Sequence, residues 1–357
     1  MSDLIHVATR KGLFAARRKN GSWSLDPIGF AGDPVSQVLA TADGSLYAAL
    51  NLGHFGVKMH RSSDSGRTWE EVAAPALPDD ASSDLAVQLI WCLEETATGD
   101  GHLWAGTIPG GFFRSEDAGQ SWSLNRPLWD MPERARWWGG GYDQPGIHSI
   151  CVDPRDYRHV TLGVSVGGVW QTRDGGETWR VTSEGLNANY LPPGETHDPI
   201  QQDPHRVVAC PAAPDKLWTQ HHSGIWRSTD TAETWEEVTG EAPSHFGFAV
   251  VVHPDDGDTA WFVPAVKDEC RIPVDGKFVV TRTRDGGSSF EVLDRGLPRE
   301  PAWDLVYRHA LDIDRTGTQL AMGSTTGGLW ASDNGGDDWQ LLSAHLPQIA
   351  AVRFAPA

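Results

Sequence analysis

Short apolar or alternating runs recur along the whole chain, each closed by a polar, glycine-containing turn. Examples are Ile147-His148-Ser149-Ile150-Cys151-Val152 and Phe248-Ala249-Val250-Val251-Val252, then Leu103-Trp104-Ala105-Gly106 and Lys216-Leu217-Trp218, then Gly168-Val169-Trp170-Gln171 and Gly328-Leu329-Trp330. Runs of this length and composition read as strands, and none carries a sustained 3.6-residue period. After the third run of each group comes an octet: Ser/Thr, any, Asp, any, Gly, any, Ser/Thr, aromatic. The copies are Ser62 to Trp69, Ser115 to Trp122, Thr172 to Trp179, Ser228 to Trp235, Thr283 to Phe290 and Ser332 to Trp339. Ala232 replaces the glycine in one copy and Asn334 replaces the aspartate in another, and Asn20-Gly21-Ser22-Trp23 is a worn seventh copy. Aromatic positions 23, 69, 122, 179, 235, 290 and 339 then mark seven units, with a period of roughly 50 residues.

The octet is a hairpin turn in chemical terms. Asp and Gly supply the backbone angles of a tight turn, and the Asp and Ser/Thr side chains can bond the turn's own amides. Four strands per unit, repeated seven times, predict an all-β, seven-bladed β-propeller of four-stranded blades, one domain over residues 1–357. The first unit starts at its second strand, and the apolar run 349–354 has no unit of its own. Pairing the two closes the ring and removes an exposed edge.

Composition agrees with this reading: 39 Gly, 23 Pro and 17 Trp against only 4 Met suit many short strands joined by turns. The formal net charge is −19, which argues against nucleic acid and anionic membrane as partners. No apolar run approaches the ~20 residues of a membrane span. The start of the chain passes directly into the alternation Ile5-His6-Val7-Ala8 without a basic, then apolar, leader. A cytoplasmic protein is expected. Cys92, Cys151, Cys210 and Cys270 form no CxxC pair, and the first three read as small buried apolar residues.

The six octets resemble the Asp-box, or BNR, repeats of sialidases and other propellers. More narrowly, Thr9-Arg10-Lys11-Gly12-Leu13-Phe14, Pro145-Gly146-Ile147-His148-Ser149 and Arg271-Ile272-Pro273-Val274-Asp275-Gly276-Lys277 resemble a group of bacterial proteins labelled exo-alpha-sialidase or glycosyl hydrolase from such repeats. The resemblance implies a propeller with peripheral Asp-box turns and a ligand site in the funnel at one end of the channel. It does not fix an activity.

Three sets of residues fall on segments that face such a funnel. The long connections 125–146 and 183–205 hold the first: Trp129, Asp130, Glu133, Arg134, Arg136, Trp137, Trp138, Tyr142 and Asp143, and then Tyr190, Glu195, His197 and Asp198. Connections of this length tend to be functional or disordered, and four exposed-looking aromatics argue against disorder; aromatic faces flanked by carboxylates suit a sugar, and a lid packed on its own aromatics is the other reading. The second set is histidine: His148, His205, His221, His222 and His245. His148, His205 and His222 suit proton transfer, a divalent metal as the one cofactor the residues admit, or a polar channel lining. The third set is Arg10, Arg271 and Arg308, with His309 beside the last. Blades one, six and seven are neighbours in a closed ring, so the three guanidiniums converge on one carboxylate, or they form surface and inter-blade ion pairs.

Arg271-Ile272-Pro273 resembles part of the sialidase F/Y-R-I-P motif, but here it falls in blade six and Cys270 takes the aromatic's place. Tyr307 adjoins Arg308, and strand alternation would point the two apart, so no Tyr/Glu nucleophile pair is evident and true sialidase activity is not expected. Asp268 and Glu269, in the insert 264–277, are the catalytic carboxylates to examine outside the aromatic loops; glycosidases need two. The expected function is hydrolysis or elimination on a small polar, carboxylated or glycosidic ligand in the funnel. The alternative is a non-catalytic binding scaffold, resembling photosystem II assembly propellers, which requires a broad contact surface and no closed pocket.

Overall fold

The computed structural model describes residues 2–81, 85–96, 100–240 and 242–356. These form seven four-stranded antiparallel sheets, the propeller expected from the repeats. Blade two is Val35–Ala40, Leu46–Asn51, Val57–Ser62 and Glu70–Val72, and blade three is Leu89–Glu95, Leu103–Ile108, Phe112–Ser115 and Ser123–Leu124. Blade four is Gly146–Asp153, Asp156–Ser165, Gly168–Thr172 and Arg180–Val181; blade five is Pro204–Cys210, Ala213–His221, Gly224–Ser228 and Glu236–Val238. Blade six is Gly247–Val252, Ala260–Pro264, Val280–Thr283 and Glu291–Leu293; blade seven is Leu311–Ile313, Leu320–Gly323, Leu329–Ser332 and Gln340–Ser343. The first strand of each blade packs beside the first strand of the next, and these strands line the axis.

Blade one is built from both ends of the sequence. Ile349–Phe354 supplies its innermost strand and pairs with Leu4–Thr9, Val7 opposite Val352, followed by Gly12–Lys19 and Ser22–Gly29. The closure read from the unpaired apolar run is therefore present.

Every octet lies between the third and fourth strands, and five of the six make the same bonds. The Ser62 Oγ accepts the Gly66 N–H at 2.9 Å, while Asp64 accepts the Thr68 N–H at 2.9 Å and its hydroxyl at 2.7 Å. Where the glycine is missing, Ala232 takes φ 62° and is fully buried. Where the aspartate is missing, Asn334 donates through Nδ2 to Asp338 at 2.8 Å. The octet's tryptophan then reaches back a blade: Trp69 Nε1 donates to Ile28 O, Trp122 to Ala73 O and Trp235 to Thr182 O. The octet is thus a turn and an inter-blade tie.

Apolar faces of adjacent sheets fill the space between blades, with Trp104, Trp170, Trp218, Trp226 and Trp261 fully buried. All four cysteines are free, Cys92 and Cys210 buried and Cys151 and Cys270 partly so. Among the described residues no helix is long and apolar enough to cross a membrane.

Candidate functional site

At one mouth of the ring a cavity of about 650 Å³ is lined by Arg10, Arg271 and Arg308 together. Arg10 sits in the turn between Leu4–Thr9 and Gly12–Lys19, Arg271 in the connection between Ala260–Pro264 and Val280–Thr283, and Arg308 just before Leu311–Ile313. Ring closure brings these blades side by side, so the convergence follows from topology. Lys11, His309, Tyr142 and Tyr307 share the wall with Trp91 and Phe248, and among the described residues no Asp or Glu lines it.

Arg308 is the buried cation of this wall. Its guanidinium lies 4.7 Å from the Trp91 ring centre and 5.4 Å from that of Phe248. Its Nε is buried without a hydrogen-bond partner among the described residues. Burial pushes its pKa down to about 10, against the opposing charge of Asp203. An unmatched buried charge is costly unless an anion completes it. Arg271 is partly matched: Asp268 Oδ1 accepts from its Nε at 3.0 Å and its Nη2 at 2.6 Å.

His309 is also fixed as a donor. Arg206 Nη1 lies 2.7 Å from His309 Nδ1. A guanidinium only donates, so Nδ1 accepts and Nε2 carries the proton. Ser149 Oγ accepts the Val207 N–H at 3.0 Å and faces His148 Nδ1 at 2.9 Å. The Nε2 atoms of both histidines are buried without a partner among the described residues. Burial, and then the neighbouring arginines, keep both rings neutral, well below the ordinary imidazole range.

Beside the cavity lies a second constellation. Asp203, His205 and His222 offer ligand atoms within 4.8 Å of one another. Asp203 precedes Pro204–Cys210, His205 lies on that strand, and His222 lies in the turn after Ala213–His221. Burial would raise the Asp203 carboxyl, but His205, His222 and the charge of Arg308 hold it well below the usual carboxylate range. Phe248 stacks on His205 at 4.4 Å. Gly140 joins the two regions: it lines the cavity, and a Cβ there would meet Asp203 Oδ1 at 3.2 Å.

The other expected residues are placed as follows. His148 is not in the three-residue cluster; its place is taken by Asp203, which the sequence reading did not single out. Trp137 is buried in the core against Trp170, so it offers no sugar-stacking face. Trp138 is exposed and ties the two long connections together through Gln201 at 2.8 Å. Tyr142 lines the cavity; Asp143 is exposed and does not. Asp268 serves Arg271, and Glu269 is exposed beside Lys267. Tyr307 and Arg308 both line the cavity, because residues 302–307 are not a strand and alternation does not apply. Trp91 and Phe248 lie in apolar innermost strands, and the one local signal for them was an aromatic at the funnel end of each run.

No family model matches the chain. It is 26% identical over 278 residues to the oligoxyloglucan-reducing end-specific xyloglucanase of Emericella nidulans, covering 71% of this chain and 32% of that protein. A Paenibacillus sp. xyloglucanase is 27% identical over 148 residues, covering 38% of this chain and 13% of that protein. The match thus spans at most about a third of the length of these curated relatives. Among solved structures, a Niastella koreensis GH74 enzyme superposes with TM-score 0.60 at 15% identity, over 94% of this chain and 51% of that one. YCF48 bound to D1 peptide superposes with TM-score 0.56 at 16% identity, over 87% and 81%. The chain is a seven-bladed propeller that resembles the propellers of xyloglucanases.

Proposed function

We propose that the axial cavity binds a carboxylated saccharide, or a polar anion of that size, and that the protein is a hydrolase or lyase acting on it. The observation that carries this is Arg308: a buried guanidinium without a hydrogen-bond or ion-pair partner among the described residues, on a wall that adds Arg10, Lys11 and Arg271 and contributes no carboxylate. Such a wall favours an anionic group through charge-assisted, paired hydrogen bonds. Trp91, Tyr142 and Tyr307 offer flat faces to a sugar ring. The carbohydrate-active relatives support a saccharide. The glycosidase arrangement of two carboxyls flanking the bond is not supplied by Asp268 and Glu269, which leaves Asp203, His205 and His222 as the reacting groups. A scaffold role would rest on a broad outer contact, whereas this cavity is built inward.

Calorimetric titration with uronate-containing oligosaccharides and their neutral counterparts, in chelator-treated buffer, tests the reading. The carboxylated set is expected to bind and the neutral set not, with Arg308→Leu weakening binding at least about tenfold. Equal binding of both sets, or undiminished binding by Arg308→Leu, would overturn it.

A further inference from the structure

The Asp203, His205 and His222 cluster has a geometry that hydrogen bonding among its members does not account for. Asp203 Oδ2 stands 3.5 Å from His205 Nε2 and 3.6 Å from His222 Nδ1, long for direct hydrogen bonds. Ligand atoms held ~2.1 Å from one tetrahedral ion are themselves ~3.4 Å apart. Two of the three spacings are thus those of donors around a shared centre, and all three ligand atoms lie within 4.8 Å of one another.

Two of the three donors are also turned toward that centre by a partner on the far side. His205 Nδ1 lies 2.6 Å from the Gly247 carbonyl, so it donates there and leaves the Nε2 lone pair facing Asp203. Ser165 Oγ donates to Asp203 Oδ1 at 2.7 Å and leaves Oδ2 free for the cluster. A backbone carbonyl behind an imidazole and a hydroxyl behind a carboxylate are the outer partners that orient metal ligands. The backbone locks the remaining freedom: the His222 N–H donates to Asp203 O at 2.9 Å, and the Asp203 N–H to His221 Nε2 at 3.0 Å.

We propose that Asp203, His205 and His222 bind one divalent transition-metal ion at the edge of the axial cavity, with further coordination positions left for water or ligand. Two imidazoles and one carboxylate suit zinc, iron(II) or manganese(II) better than calcium or magnesium, which prefer oxygen. Gly140 sits between this set and the cavity, so an ion there adjoins the volume that Arg308 faces. The inference goes beyond the proposed function and does not depend on it, since the uronate titration is run without metal.

The test is titration of the chelator-dialysed full-length protein with Zn²⁺ by calorimetry, and with Co²⁺ by visible absorption. The expected result is one ion per chain, and a Co²⁺ spectrum of four- or five-coordinate nitrogen and oxygen ligation. Asp203→Asn and His222→Gln should each weaken binding by more than about tenfold, and Ser165→Ala by about tenfold. Should a variant fold poorly by circular dichroism, the wild-type Co²⁺ spectrum decides. No saturable one-to-one binding, an octahedral aqua-like spectrum, or unchanged affinity in both folded ligand variants would overturn the proposal.

Discussion

The Arg308 guanidinium lies over the Trp91 indole at 4.7 Å, although one residue leads into blade seven and the other belongs to the innermost strand of blade three. The indole face and the opposing charge of Asp203 offset part of the cost of burying the charge, but burial still outweighs them. Arg308→Leu is therefore expected to raise the stability of the ligand-free protein by about 1–2 kcal/mol, read as a rise in denaturation midpoint. A fall in midpoint would show that the charge is satisfied in the resting protein.

Thr172 tests the octet. Its hydroxyl is buried and accepts the Gly176 N–H at 2.9 Å. Thr172→Val keeps the shape and strands that amide, at about 1–2 kcal/mol. Thr172→Ser is expected to retain most of the stability, and equal losses in the two variants would refute the hydrogen-bond account. The same turns set an acid limit: hydrogen bonds from the turn hold Asp64 and Asp174 at about 2. Their stabilisation is present above the ordinary carboxylate pKa and is lost as pH falls through about 2.

His6 gives a second, higher window. It is buried, neither ring nitrogen has a partner among the described residues, and burial followed by the charge of Arg17 pushes it down to about 4. The unfolded chain takes up this proton near pH 6.5 and the fold resists it. Stability is expected to be complete above pH 6.5 and to decline to about pH 4, by about 3 kcal/mol. Comparing urea midpoints of wild type and His6→Leu across this range isolates the contribution; parallel profiles would refute it.

Gly106 reports on blade packing. A Cβ there would stand 2.6 Å from Cys92 Sγ and 2.6 Å from the Ile147 carbonyl of the next blade. Gly106→Ala is expected to cost about 1–3 kcal/mol, and a neutral effect in thermal unfolding would show that blades three and four separate easily.

The ring and its closure were legible in the sequence because the octet marks phase: once the turns are aligned, every strand and its neighbour follow. That phase also brought Arg10, Arg271 and Arg308 together, since blade adjacency does not depend on loop detail. What the repeat does not encode stayed hidden. Trp91 and Phe248 sit in runs whose apolarity reads as core. Asp203 falls at the end of a long connection, where only tertiary packing decides which carboxylate meets His205. Tyr307 was assigned a strand's alternation in a segment that has no ladder to impose it.

Arg10 and Lys11 stand on the closing blade, and Ala350, with Gln348 just before it, reaches the same wall from the strand that completes it. During translation six blades can fold while this pocket still lacks a side. Binding competence would thus arise only as the strand Ile349–Phe354 leaves the ribosome, and nascent chains stalled before it should be compact yet blind to ligand.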